Sequence, residues 1–377
     1  MADLKFAEQL KARVSEALPL IQVLLGPRQV GKSTAATEIF NSFAGSKIMV
    51  TADGPISPNQ EWLETEWMRA RSLIPPVLLI IDEVQKISGW SEVVKKLFDE
   101  DRGKRDLRVV LLGSSSLALQ QGLTESLAGR FELLRAHHWN LDEMKSGFGF
   151  ELESYLRFGG YPGAARYVQQ PSRWQAYLRD SIVEPVLSRD ILMQAEVRKP
   201  ALFRQTFEIA MRYPAQQVSY QKLVGQLQER GSTETVKNYL ELFEGAFLLS
   251  QIFQYSTRPL STRTSSPKLI PSAPALVHAF VDPARIGVDP EWRGRVFESV
   301  VGSALVRLGH KVFTWSEQGA ELDFVVVKGD SLFAIEVKSG RHRNATGIRR
   351  FLRHFPHAKP IVVTPENVEQ LLGGGLE

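Results

Sequence analysis

The sequence predicts an α/β protein: a parallel sheet covered on both faces, a mostly helical middle, and a second, smaller α/β unit. Three observations predict it. Continuous apolar runs at 21–25, 77–81 and 107–112 alternate with helical patterns, and strands apolar on both sides belong in a sheet covered on both faces. After about residue 140 the pattern turns helical and stays so to about residue 250. From Trp292 onward helix and strand patterns alternate again. A chain of 377 residues is long for a single domain, and four parts are expected: 1–145, 146–215, 216–290 and 291–377.

The elements follow in order. Phe6, Leu10, Val14 and Leu18 lie four apart, the stripe of a helix over 5–18. Strand 21–25 enters a glycine-rich loop, and a helix continues from Ser33 to Phe40. Ile48, Met49 and Val50 predict a strand, and 61–72 a helix that ends before Pro75-Pro76. Strand 77–81 stops at Asp82-Glu83, and strand 107–112 at Gly113-Ser114-Ser115-Ser116. The helical stretch breaks at Phe158-Gly159-Gly160-Tyr161-Pro162-Gly163. Ser219 and Thr233 are expected N-caps of helices 220–229 and 233–247, and a strand at 248–255 completes the pattern of a winged helix-turn-helix. Residues 256–274, rich in Ser, Thr, Pro and Arg, read as a linker with a basic wing around Arg258, Arg263 and Lys268. The last unit reads as a helix at 293–308, strands at 312–315, 322–327 and 332–338, a basic helix at 345–355 and a strand at 360–363.

Composition excludes several chemistries. The chain has no cysteine, so disulfides, Cys-ligated zinc and thiol catalysis are ruled out, and a reducing cytoplasm is the expected location. The start lacks the apolar run of a signal peptide, and the most apolar stretch, 76–81, is too short to span a bilayer. Net charge is only +4, yet Arg293, Arg295, Lys338, Arg341, Arg343, Arg349, Arg350 and Arg353 crowd the C-terminal part. Such a surface suits a phosphate-bearing partner; a solvated charged face is the plainer alternative.

Gly26-Pro27-Arg28-Gln29-Val30-Gly31-Lys32-Ser33 has the spacing G-x-x-x-x-G-K-S behind an apolar strand. The glycines let the backbone wrap phosphate oxygens and aim N–H groups inward. Lys32 would reach the β- and γ-phosphates of ATP, Ser33 would hold Mg²⁺, and the helix through Thr34 adds a favourable dipole. Asp82 can orient the water shell of Mg²⁺, and Glu83 can polarise the attacking water; the bland alternative is an N-cap. Ser114 or Ser115 can sense the γ-phosphate. Arg130 is the candidate cation delivered to a neighbouring subunit, against a surface salt bridge. His137 and His138 read as structural.

Asp323 begins one strand and Glu336-Val337-Lys338 ends the next. Strand alternation puts Glu336 and Lys338 on one face, and Asp323 can lie beside them. With Glu298 from the preceding helix, these carboxylates are a candidate Mg²⁺ set for phosphodiester cleavage, with Lys338 steadying developing charge.

Taken together, Gly26 to Ser33, Ile81-Asp82-Glu83-Val84-Gln85-Lys86, Leu127-Ala128-Gly129-Arg130, Gly159-Gly160-Tyr161-Pro162, Ser188-Arg189-Asp190-Ile191, Glu321-Leu322-Asp323-Phe324 and Glu336-Val337-Lys338 resemble a known family. It comprises prokaryotic AAA-type ATPases, related to the archaeal ATPases, with a C-terminal domain like restriction endonucleases and Holliday-junction resolvases. The stretch Lys268-Leu269-Ile270-Pro271-Ser272 departs from the family's pattern, which carries an aspartate after the strand. The resemblance implies an AAA-like core, a helical lid with a winged helix and a restriction-endonuclease-like domain. It gives nucleotide roles to Lys32, Ser33, Asp82 and Glu83, and nuclease-type roles to Glu298, Asp323, Glu336 and Lys338.

Three functional readings follow. The first is an ATPase that binds DNA, branched or junction DNA in particular, through its winged helix and its nuclease-like C-terminal domain, with Arg341, Arg343, Arg349, Arg350 and Arg353 at the phosphates, working as a homo-oligomer such as a hexamer. The second is an ATP-gated, Mg²⁺-dependent nuclease. The third is an NTPase switch with protein partners and a dead nuclease scaffold.

Overall fold

The computed structural model describes residues 4–16, 20–54, 58–114, 127–192, 195, 197–229, 231–256, 266–340 and 346–375. Leu18, Ser115, Arg258, Arg263, Arg341 and Arg343 lie outside the described residues. The chain divides into two compact units: Asp3–His137 with Ser188–Glu196, and His138–Leu187 with Val197–Glu377.

The first unit is a five-stranded sheet in the order β2-β3-β4-β1-β5, with every pairing parallel. Its strands are β1 (Ile21–Gly26), β2 (Ser46–Thr51), β3 (Val77–Asp82), β4 (Leu107–Ser114) and β5 (Phe131–Arg135). The helices are α1 (Lys5–Val14), α2 (Lys32–Ser42), α3 (Gln60–Arg71) and α4 (Trp90–Asp101). Strands β1, β3 and β4 are buried almost end to end, as continuous apolar runs in a covered parallel sheet should be. Strand β5 was not expected. It pairs with β1 alone, and Glu132 and Arg135 interrupt its apolar residues because an edge strand meets solvent.

The second unit opens with α5 (Leu141–Phe148), α6 (Leu152–Phe158) and α7 (Pro171–Leu178). It continues with α8 (Pro200–Ala210), α9 (Tyr220–Val224) and α10 (Thr233–Gly245). The strands β6 (Gln216–Gln217), β7 (Leu249–Ile252) and β8 (Lys268–Pro271) form an antiparallel sheet in the order β6-β8-β7. Two sequence expectations change here. Helix α9 ends at Val224, where Gly225 follows; glycine costs about 1 kcal/mol in a helix interior. The cap of α10 is Ser232, whose hydroxyl accepts the Thr235 N–H at 3.1 Å, and Thr233 is the first helical residue. Ser219 caps α9 as expected.

The supposed linker also changes. Residues 268–271 form a fully buried strand, and short helices α11 (Pro274–His278) and α12 (Arg285–Val288) follow. Leu269 and Ile270 are fully buried, which gives this stretch its place in the sheet. Lys268 is 9% exposed, so it is no wing cation.

Helix α13 (Pro290–Arg307) leads into β9 (Lys311–Glu317), β10 (Ala320–Lys328) and β11 (Ser331–Val337), all antiparallel. Helix α14 (Thr346–His354) then returns the chain to β12 (Lys359–Val363), parallel to β11, and α15 (Val368–Gly374) closes it. Helix α14 buries Ile348 and Phe351 against this sheet, beside Trp315, Leu322 and Val325.

Candidate functional site

Strand order positions the nucleotide residues. Strand β4 lies between β1 and β3, so the C-terminal ends of all three stand side by side, with Gly26 opposite Ser114. At the end of β1 the loop 26–33 turns into α2. Gly26 has no alternative there, because a Cβ would meet the Ala136 carbonyl oxygen at 2.3 Å. Gly31 has φ +97°, the left-handed region that favours glycine, and it starts α2 with Lys32 as the first helical residue.

Lys32 is 8% exposed and donates to the carbonyls of Gly26 at 2.8 Å and Pro27 at 2.6 Å. Burial lowers its pKa to about 8, against the pull of Glu83 and Asp82. Among the described residues it forms no ion pair within salt-bridge distance. Ser33 Oγ donates to Asp82 Oδ2 at 3.0 Å, and the Glu83 N–H to Asp82 Oδ1 at 2.9 Å. Glu83 sits at φ +55°, a backbone strain of about 1–3 kcal/mol of the kind that collects at functional sites. Burial, and then Asp82, raise its carboxyl. Thr34 is exposed on α2, Val30 is buried and Gln29 has φ +60°.

Three residues beyond the expected ones complete the picture. Gln85 Nε2 donates to Glu83 Oε2 at 2.5 Å and reaches Ser114 Oγ at 3.4 Å, so it holds both. Asp190, 4% exposed at its side chain, takes Arg28 in a two-point pair at 2.6 and 2.5 Å from 162 residues away. That hydrogen bond raises the Arg28 guanidinium's pKa. Lys268 is the third. Arg130 donates to both carboxylate oxygens of Asp99, at 2.7 and 2.8 Å. His138 is structural, bonded to the Tyr161 hydroxyl at 2.9 Å.

The second unit brings Asp323, Glu336 and Lys338 together. The register pairs Phe324 with Ile335, and continuing it sets Asp323 across from Glu336. Asp323 Oδ2 accepts the Val337 N–H at 2.7 Å, and Lys338 pairs with Glu336. Glu298, on α13, pairs with Lys268. Burial, with Asp323 near, pushes Glu298 up to about 7 against the pull of Lys268. Burial also lowers the Lys268 ammonium, but Glu298 and Asp323 more than offset it. Among the described residues no three His, Asp or Glu side chains converge as metal ligands. Two ammonium groups lie inside this carboxylate set, Lys268 on Glu298 and Lys338 on Glu336, and their charge opposes a divalent cation there. Arg349 and Arg353 are exposed, whereas Arg350 is held by Gln318 at 2.7 Å, Arg293 by Glu153, and Arg295 by Glu291.

Residues 19–145 match the family model described as an AAA domain. Residues 149–289 and 293–376 match two domains of unknown function, DUF8612 and DUF4143. An uncharacterized protein of Haemophilus influenzae is 22% identical over 382 residues, covering 95% of this chain and 92% of the relative. One from Mycobacterium tuberculosis is 28% identical over 340 residues, covering 87% and 72%. A Walker-type ATPase of Pyrococcus abyssi aligns with TM-score 0.46 and 16% identity, over 73% of this chain and 94% of its own; at that score the likeness has no bearing on function. The domain match and the site geometry together define the first unit as carrying an AAA-type P-loop ATPase domain.

Proposed function

We infer that the protein hydrolyses ATP and uses the cycle on DNA, branched or junction DNA in particular. The observation that carries the ATPase is Ser33 Oγ on Asp82 at 3.0 Å, beside a buried Lys32 that rests on two backbone carbonyls. Phosphates entering the loop would draw Lys32 away from the two carbonyls. Ser33 and Asp82 would hold Mg²⁺, which when bound neutralises phosphate charge. Glu83, raised by burial, is a stronger base for the attacking water, and Gln85 and Ser114 hold it in place. Arg130 would leave Asp99 to serve a neighbouring subunit in a homo-oligomer such as a hexamer.

The DNA reading rests on the second unit. The order α13, three antiparallel strands, α14 and a parallel strand supports a restriction-endonuclease-like fold, and α8 to α10 with β6, β7 and β8 support a winged helix. The exposed residues of α10 include Glu234 and Glu241, which would repel phosphates. Phosphates are therefore assigned to α14, through Arg349 and Arg353.

The test measures ATPase rate and gel shift together on duplex, single-stranded and four-way DNA. We expect binding that falls steeply with salt and weakens in Arg349→Glu/Arg353→Glu, with Glu83→Gln slowing hydrolysis ~100-fold while ATP still binds. An ATPase rate indifferent to every DNA, with no shift at low salt, would leave the switch reading with protein partners. No helix among the described residues is long and apolar enough to cross a membrane.

A further inference from the structure

Lys268 opens β8, in a stretch that composition marks as a linker, yet its ammonium lies inside the carboxylate cluster. It pairs with Glu298, donates to the Asp323 carbonyl oxygen at 3.2 Å and sits 4.8 Å from the centre of the Phe324 ring. An ammonium has three donors and no acceptor. Two are committed to Glu298 and Asp323, and the aromatic face lies over the same cation. Glu298 thereby has its counter-charge from within the chain.

The rest of the cluster also carries internal partners, save for one oxygen. Lys338 pairs with Glu336, and the Val337 N–H occupies Asp323 Oδ2. Glu336 is 6% exposed, and among the described residues its Oε2 is buried without a hydrogen bond. Four carboxylates (Glu298, Glu321, Asp323, Glu336) bear on two ammonium groups (Lys268, Lys338), with Glu321 on the exposed side. Half of the carboxylate charge is thus already met from within the chain, and each ammonium repels a dication.

We propose that Lys268 is a built-in counter-ion: its ammonium supplies beside Glu298 and Asp323 the positive charge that a divalent cation would otherwise supply. The cluster therefore binds no divalent cation and supports no metal-dependent phosphodiester cleavage. The proposal does not depend on the ATPase or DNA readings, because its test uses neither nucleotide nor DNA.

The test titrates Mn²⁺ into the nucleotide-free full chain and reads free Mn²⁺ by electron paramagnetic resonance. Asp82→Asn serves as the background, to silence the first unit. We expect no site that Asp323→Asn removes. In Lys268→Met we expect one new site, at least ~10-fold tighter than any in the parent, which Asp323→Asn abolishes. Should Lys268→Met fail to fold, Lys268→Gln, which keeps a donor for Glu298, is titrated in its place. A parent site that Asp323→Asn removes overturns the proposal. A folded Lys268 variant with no gain in Mn²⁺ binding overturns the role given to Lys268.

Discussion

Lys32 in the first unit and Lys268 in the second are buried alike, at 8% and 9% exposure, and are held in opposite ways. Lys32 rests on two backbone carbonyls, and burial lowers its pKa to about 8. That shift biases it against its charged form by roughly 3 kcal/mol. Lys268 rests on a carboxylate, and its pKa is raised despite burial. A buried cation is tolerable when its counter-charge is built in, and costly when it is not. The cost at Lys32 makes sense at a site that takes its anion from outside, as phosphate. Two lysines of similar burial thus differ in whether a carboxylate of the chain meets their charge.

Replacing each lysine by methionine should separate them furthest. Lys32→Met should lower ATPase activity ~100-fold or more, while the unfolding midpoint stays or rises because an unpaired buried charge is gone. Lys268→Met should do the reverse. It leaves Glu298 buried without its partner and should cost about 3–5 kcal/mol in a denaturant titration, with basal ATPase per folded molecule retained. Restoring stability with Lys268→Met/Glu298→Gln would tie the loss to the pair. If Lys268→Met is as stable as the parent, the two lysines do not differ as described.

Asp190→Asn should give a smaller effect on the same contrast. Arg28 belongs to the loop that receives phosphate, and its guanidinium is oriented by a carboxylate from the segment Ser188–Glu196. Removing the charge while keeping the shape should raise KM for ATP ~10-fold with a lesser change in kcat, because the loss is one of loop positioning. An unchanged KM would show that Arg28 needs no anchor.

What could be read from the sequence follows the range of each interaction. The loop 26–33, Asp82, Glu83 and Ser114 lie at strand ends, and a strand stopping at a polar residue is a local signal. Gln85 was within reach of the same logic, since it stands two residues past Glu83. Asp190 and Lys268 were not. Their partners lie 162 and 30 residues away, and nothing near either residue names them. Composition misled at Lys268, because a Ser- and Pro-rich neighbourhood hides a buried four-residue strand. Strand β5 escaped notice because an edge strand need not be apolar throughout. At α10, Ser232 and Thr233 are both capping residues, and only the backbone decides that Ser232 caps.

The smallest effect is a pH dependence, and its two halves run in opposite directions. In the nucleotide-free protein Lys32 titrates near 8, and its unfolded value is 10.5. Between those values the unfolded chain binds more protons at this residue than the folded one. Its contribution to stability therefore rises with pH across that window. Phosphate oxygens favour the ammonium, so ATP binding above pH 8 must take up a proton. Affinity should be flat below pH 8 and fall up to ~10-fold per pH unit above it, until the bound-state pKa is reached. Calorimetry on Glu83→Gln, in buffers of different ionisation enthalpy, would read both the affinity and the proton uptake. General alkaline unfolding would weaken binding and stability together, whereas deprotonation of Lys32 weakens binding while its contribution to stability rises. An affinity unchanged between pH 7 and 9, with no proton taken up, would mean that Lys32 stays charged without its phosphate, and the contrast with Lys268 would narrow to hydrogen-bond partners alone.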